Sequence, residues 1–171
     1  GGGGAAMTTT LHIDPGTNGW VHTPVDLPTT EHNALASGGA ATRSVGGTSG
    51  VFSPTNFSNA PLAEVYFTSG GAFTPSAGGY LVGWFLKSTD GGTTFETVVA
   101  TASTTVPALS RSPDFTIPLD NAAFASGNIR FGTPVNLPAP YTKVVIQNLS
   151  GGALPSTGNK VTVGPYTYQQ V

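Results

Sequence analysis

Apolar residues along this chain fall in short runs closed off by glycine, proline or asparagine, and they almost never recur at helical spacing. Runs rich in β-branched and aromatic residues predict strands over 41–45, 62–68, 80–88, 94–102, 114–118, 128–131, 141–148 and 160–168. A helical turn is expected at one place, the stretch "LDNAAFASG" over 119–127. So many short strands with turn signals between them point to an all-β, antiparallel sandwich or barrel.

The most informative stretch is "GYLVGWFLKSTDGGTTFETVVATA". Alternation puts Leu81, Gly83, Phe85 and Lys87 on one face, and Tyr80, Val82, Trp84 and Leu86 on the other. Both faces are largely apolar, which places the strand mid-sheet and makes Trp84 a core residue. Asp90, Gly91 and Gly92 supply the turn that follows. Near the C-terminus, "KVVIQN" and "KVTVGPY" flank a loop of glycines with Pro155 and Asn159, which reads as a hairpin. Trp84, Leu86, Val145 and Ile146 are expected in the core, and His32 is expected to be dispensable for folding.

Residues 1–20 read as a flexible Gly/Ala-rich arm, and 21–171 as a single domain. The opening "GGGGAAM" fits either an appended leader ahead of Met7 or a native arm whose initiator was trimmed. The stretch "VHTPVDLPTTEHN" is an extended entry, possible as an edge strand because Pro24 and Pro28 cannot donate to a central ladder.

Composition sharpens this. Charged residues are 8% of the chain, against roughly 25% in ordinary globular proteins, so little long-range repulsion keeps neighbouring copies apart. Its six basic residues are scattered singly and the net charge is −2, which argues against nucleic-acid partners. No apolar stretch approaches the roughly 20 residues of a helical membrane span, and no membrane partner or secretion signal is expected. Cysteine is absent, so neither disulfides nor thiolate metal sites form.

The search for chemistry returns no catalytic constellation. His12, His22 and His32 are spaced by ten in Gly/Pro-rich sequence, unlike the tight pairs of zinc sites. Asp14, Asp90 and Asp114 sit beside glycine or proline, where carboxylates serve turns, and the others are read as surface groups. No phosphate loop, nucleophile elbow or calcium loop is present. The expectation is a protein that is not an enzyme and takes no cofactor or metal. Tyr66, Phe73, Tyr80, Tyr166 and Tyr168 remain candidates for a sugar-binding platform, although core or interface packing accounts for them more simply.

Together, "GGYLVGWFLKSTDGGTTFE" and "IPLDNAAFASGNIRFGTPVNLPAPYTKVVIQNLSGGALPSTGNKVTVGPYTYQQ" resemble a family of small virion structural proteins of tailed bacteriophages. The shared pattern is a strand ending in Asp-Gly-Gly-Thr-Thr, a Leu-Pro entry to "KVVIQN", and a closing "PY" strand. The resemblance implies a jelly-roll-like β-sandwich that decorates or cements the phage head. Its partners would be the major capsid protein and copies of itself, as a homodimer or homotrimer. Localisation would be the capsid surface of the virion, with host cytoplasm during assembly. The N-terminal segments depart from the pattern. Candidate assembly contacts are Trp20, Val25 and Leu27 there, with Tyr166 and Tyr168 at the closing strand. The alternative is a tail-associated module that binds a receptor or carbohydrate.

Overall fold

The structure, a computed structural model, describes residues 11–13, 25–26, 32–38, 40–44, 62–96, 112–120, 122–136, 142–166 and 168–170. These hold eleven strands: β1 (Leu11–Ile13), β2 (Val25–Asp26), β3 (Ala40–Ser44), β4 (Leu62–Thr68), β5 (Tyr80–Lys87), β6 (Phe115–Pro118), β7 (Ile129–Phe131), β8 (Val135–Asn136), β9 (Thr142–Leu149), β10 (Lys160–Tyr166) and β11 (Tyr168–Gln170). Among the described residues there is no helix, so the chain is all-β here. One sheet runs β2-β10-β4-β7, with β8 also paired to β4, and the other runs β3-β9-β5-β6. β1 and β11 form a two-stranded ribbon. Every pairing is antiparallel.

The two sheets share one core. From the first come Ala63, Val65 and Phe67 of β4 with Val161 and Val163 of β10; from the second come Leu81, Phe85, Phe115, Ile117, Val144 and Ile146. β4 shows why: its alternate residues Ala63, Val65 and Phe67 are fully buried, while the residues between them are partly exposed. Phe67, Phe73 and Phe124 close one end, with ring centroids 4.9–6.2 Å apart.

β5 is flanked by β9 and β6, and six of its eight residues are buried, in keeping with a strand apolar on both faces. Leu81 and Phe85 face the shared core. Val82, Trp84 and Leu86 instead join Val145 in a second cluster on the opposite face, against which Phe95 and Leu149 pack. Trp84, Leu86, Val145 and Ile146 are all buried, but Ile146 belongs to the shared core and the other three to this second cluster.

The C-terminal hairpin does not form. β9 pairs with β3 and β5, and β10 with β2 and β4, so the loop between them crosses from one sheet to the other. Residues 144–148 and 161–164 are all buried, so neither strand has a solvent face of the kind a surface hairpin leaves. Two buried asparagines hold the crossing. Asn148 Nδ2 donates to the carbonyls of Leu35 and Gly152, both at 2.8 Å, while its Oδ1 accepts from Ser150 N–H. Asn159 Nδ2 donates to Pro155 O at 2.6 Å, and its Oδ1 accepts from Gly70 N–H at 3.1 Å. A side chain at Gly70 would collide with the carbonyl of Thr157, so the loop lies directly on this backbone.

Three further expectations are corrected. His32 is fully buried, in a turn whose carbonyl accepts from Asn159, so its truncation would open a cavity rather than pass unnoticed. The stretch 119–127 contains no helix among its described residues; Phe124 instead forms an isolated bridge with Phe73, followed by a turn with Gly127 at φ 83°. Of the segment 1–20 read as an arm the structure describes only Leu11–Ile13, a strand in register with Tyr168–Gln170, and the rest of that expectation lies outside the described residues. The predicted strand over 94–102 begins as the end of a turn, where Glu96 N–H donates to Lys87 O at 3.0 Å, and 97–102 lie outside the described residues.

Candidate functional site

The solvent side of the β2-β10-β4-β7 sheet follows from the same alternation that fills the core. Since Ala63, Val65 and Phe67 point inward, Tyr66 and Thr68 point out, and their partners across the ladder are Phe131 and Ile129 of β7. Ile129 is 46% exposed and Phe131 is 52% exposed. The Phe131 ring leans on Tyr66 with centroids 5.0 Å apart. Between them, Arg130 turns the other way and lays its guanidinium 4.8 Å from the centre of the Phe124 ring. β7 is an edge strand, so a short apolar ledge lies at the rim of the sheet.

Further across the same sheet the surface is polar. Lys160 Nζ lies 3.1 Å from Asp26, whose carboxylate also accepts from the Thr162 hydroxyl. Glu64, two residues along β4 from Tyr66 and opposite Gly164 of β10, has its pKa raised by desolvation.

A second feature lies on the outer side of the other sheet, at the end where β5 begins and β6 ends. Ala77, Gly78, Gly79, Tyr80, Thr116, Pro118 and Asp120 line an open groove of about 400 Å3. Tyr80 and Pro118 are direct partners across the β5–β6 ladder and so share a face. Asp120, with φ 56°, is one of two non-glycine residues with positive φ among the described residues, and Arg130 lies 3.6 Å from its carboxylate.

The turn after β5 matches its predicted chemistry. Asp90 Oδ1 accepts from the N–H groups of Thr94 (2.8 Å) and Thr93 (3.1 Å) and from the Ser88 hydroxyl (2.8 Å), while Gly91 and Gly92 have φ of 73° and 92°. Asp114 likewise has a structural task, since its Oδ2 accepts from Phe85 N–H at 2.7 Å. Among the described residues no three of histidine, aspartate and glutamate lie close enough together to hold a metal ion. His12 is in β1, His32 is buried, and His22 lies outside the described residues.

Of the candidate assembly contacts, Trp20 and Leu27 lie outside the described residues. Val25 is in β2 opposite Val163, Tyr166 ends β10 opposite Leu62, and Tyr168 begins β11 opposite Ile13. Val25 and Tyr166 therefore share a sheet, three positions apart along β10, whereas Tyr168 belongs to the ribbon. Sequence reasoning missed Ile129 and Phe131, because alternating "IRF" reads as apolar-in and arginine-out, the reverse of what forms.

No protein-family model, no curated protein and no solved structure matches this chain.

Proposed function

We propose that the chain is a structural protein of a tailed-bacteriophage virion, a decoration or cement protein that binds the outside of the head shell. The observation that carries this reading is the exposed ledge of Ile129 and Phe131 at a sheet edge, beside Tyr66. Edge strands with apolar side chains are sites of association, and a chain with only 8% charged residues has little electrostatic means of keeping a partner away. The sequence resemblance to small phage virion proteins points the same way, and its motifs fall on β5, β9, β10 and the loop between the last two.

The proposed fold is a jelly roll. Support comes from the strand order: β2, β4, β7 and β10 stand in one sheet, and their chain neighbours β3, β5, β6 and β9 stand in matching order in the other. Each sheet places a late strand between two early ones, as two interlocked Greek keys require. Viral shell proteins and lectins both use this architecture, so fold alone assigns neither role.

On this reading the ledge buries against the major shell protein, and the chain acts as a small symmetric homo-oligomer, a dimer or trimer. Attachment through apolar surface depends little on salt. The test is co-sedimentation of the purified chain with phage heads that lack it, at low and high salt. Wild-type protein should pellet with heads under both conditions, and the Ile129→Ser/Phe131→Ser double variant, still folded by circular dichroism, should stay in the supernatant. Retention of the double variant on heads, or failure of the wild type to bind, would sink the proposal.

A further inference from the structure

We propose that the groove between Tyr80 and Asp120 is a binding site for a neutral saccharide. This goes beyond the role on the head, and it rests on separate residues.

Sugar recognition needs two things together: a flat apolar surface for the C–H face of a pyranose ring, and a fixed polar group that can engage neighbouring hydroxyls. Tyr80 offers the first. It is 38% exposed at the start of β5, amid a strand whose next six residues are buried, and it has Pro118 beside it. Asp120 offers the second. Its side chain is 67% exposed, so the carboxylate is open to accept from two hydroxyls, and Arg130 Nε lies 3.6 Å from it as an ion-pair partner. Arg130 itself lies over the Phe124 ring. Thr116 adds a hydroxyl to the lining.

The walls are pre-formed. Gly79 N–H donates to Ser76 O at 2.8 Å, Ser76 N–H donates to Ser150 O at 2.7 Å, and Leu119 N–H donates to Gly79 O at 3.0 Å. A Cβ on Gly79 would lie 2.7 Å from Ser150 O, so this wall is backbone packed on backbone. A site with so little freedom to lose spends little of its binding energy on ordering. At about 400 Å3 the groove falls near the lower end of the volumes that small-molecule clefts span, roughly 300–1,000 Å3.

The carboxylate also decides against the competing ligand. A phosphate or acidic sugar placed over Tyr80 would meet Asp120, and the nearby guanidinium is already engaged by that same carboxylate. A neutral ring carries hydroxyl donors for Asp120 at no such cost.

The experiment is saturation-transfer NMR and calorimetric titration of the purified full chain with glucose, galactose, N-acetylglucosamine and their disaccharides, at up to about 10 mM, where Kd values in the millimolar range register. At least one of these should bind. Tyr80→Ala and Asp120→Asn should each weaken binding at least about tenfold, equivalent to 1.4 kcal/mol, without lowering the melting temperature, since asparagine also tolerates positive φ. Tyr80→Phe, which keeps the ring, should bind like wild type. If no sugar in the panel binds, or if binding survives Tyr80→Ala, the proposal is wrong. Either result leaves the head-binding test untouched, because that test reads Ile129 and Phe131.

Discussion

Gly83 lies directly beneath the ring of Phe115, so close that a Cβ there would come within 1.9 Å of the ring's Cζ. The two residues are partners across the β5–β6 ladder, and the missing side chain of one is the space filled by the other. Phe85, whose ring centroid is 5.4 Å from that of Phe115, completes the contact.

Gly83→Ala should therefore overpack the core, at a cost of about 1–3 kcal/mol. For a chain of this size the melting midpoint falls by about 2–4 °C per kcal/mol. Gly152→Ala is the control, because a Cβ there meets nothing within 4 Å. Thermal melts followed by circular dichroism should show a lower midpoint for the first variant and none for the second. Equal midpoints would mean that the Phe115 ring moves aside freely.

Asn159→Ala should loosen the crossing between the sheets. It strips the part-buried Gly70 N–H of its acceptor, at a cost of about 1–3 kcal/mol, and takes one of two donors from Pro155 O, which keeps the Ala34 N–H at 2.9 Å. The urea midpoint should fall, and the Gly70 amide should exchange with solvent faster than in wild type. An unchanged Gly70 exchange rate would show that this hydrogen bond does not hold the loop.

Asp90 gives the turn after β5 a pH limit. The Thr94 N–H, then the Thr94 and Ser88 side chains, favour its ionised form and bring its pKa from 3.8 down to about 2. Because the folded value is the lower one, the turn is stabilised above about pH 3.8, and this is lost as pH falls through about 2. The amide shifts of Thr93 and Thr94 should titrate with a midpoint near 2, and Asp90→Asn should abolish the titration. A midpoint near 4 would contradict the hydrogen-bonded turn.

Strands that alternate cleanly or are apolar throughout were legible from sequence: β4, β5, β6 and β9 lie within a residue of their expected bounds. Their partners were not. Nothing local to "KVVIQN" and "KVTVGPY" tells that each strand is flanked on both sides by segments far earlier in the chain, β3 and β5 for the one and β2 and β4 for the other, and turn-like residues between two strands imitate a hairpin. The asparagines that decide the matter act through buried side-chain hydrogen bonds, which leave no periodic trace. β1 and β8 have three and two residues, too few for any alternation. At the ledge, the pattern of "IRF" misleads because Arg130 finds an aromatic ring and a carboxylate on its own side of the sheet. In the groove, Tyr80 was legible as an exposed-aromatic candidate, whereas Asp120 was not, since its place beside Tyr80 comes from the loop after β6.

The slot that β10 fills between β2 and β4 has a consequence for how the chain comes off the ribosome. Neither β2 nor β4 pairs with the other, and β3 and β5 are likewise joined only through β9. At synthesis rates of about 5–20 residues per second, β4 waits on the order of 5–20 s for the end of β10 to be made. Through that time the edge that β10 will cover has no partner, while the opposite edge waits only for β7 and β8. Such distant pairings also fold slowly. The nascent chain is thus a natural client for holding chaperones, and its yield in a cell should depend on them more than the stability of the finished protein implies.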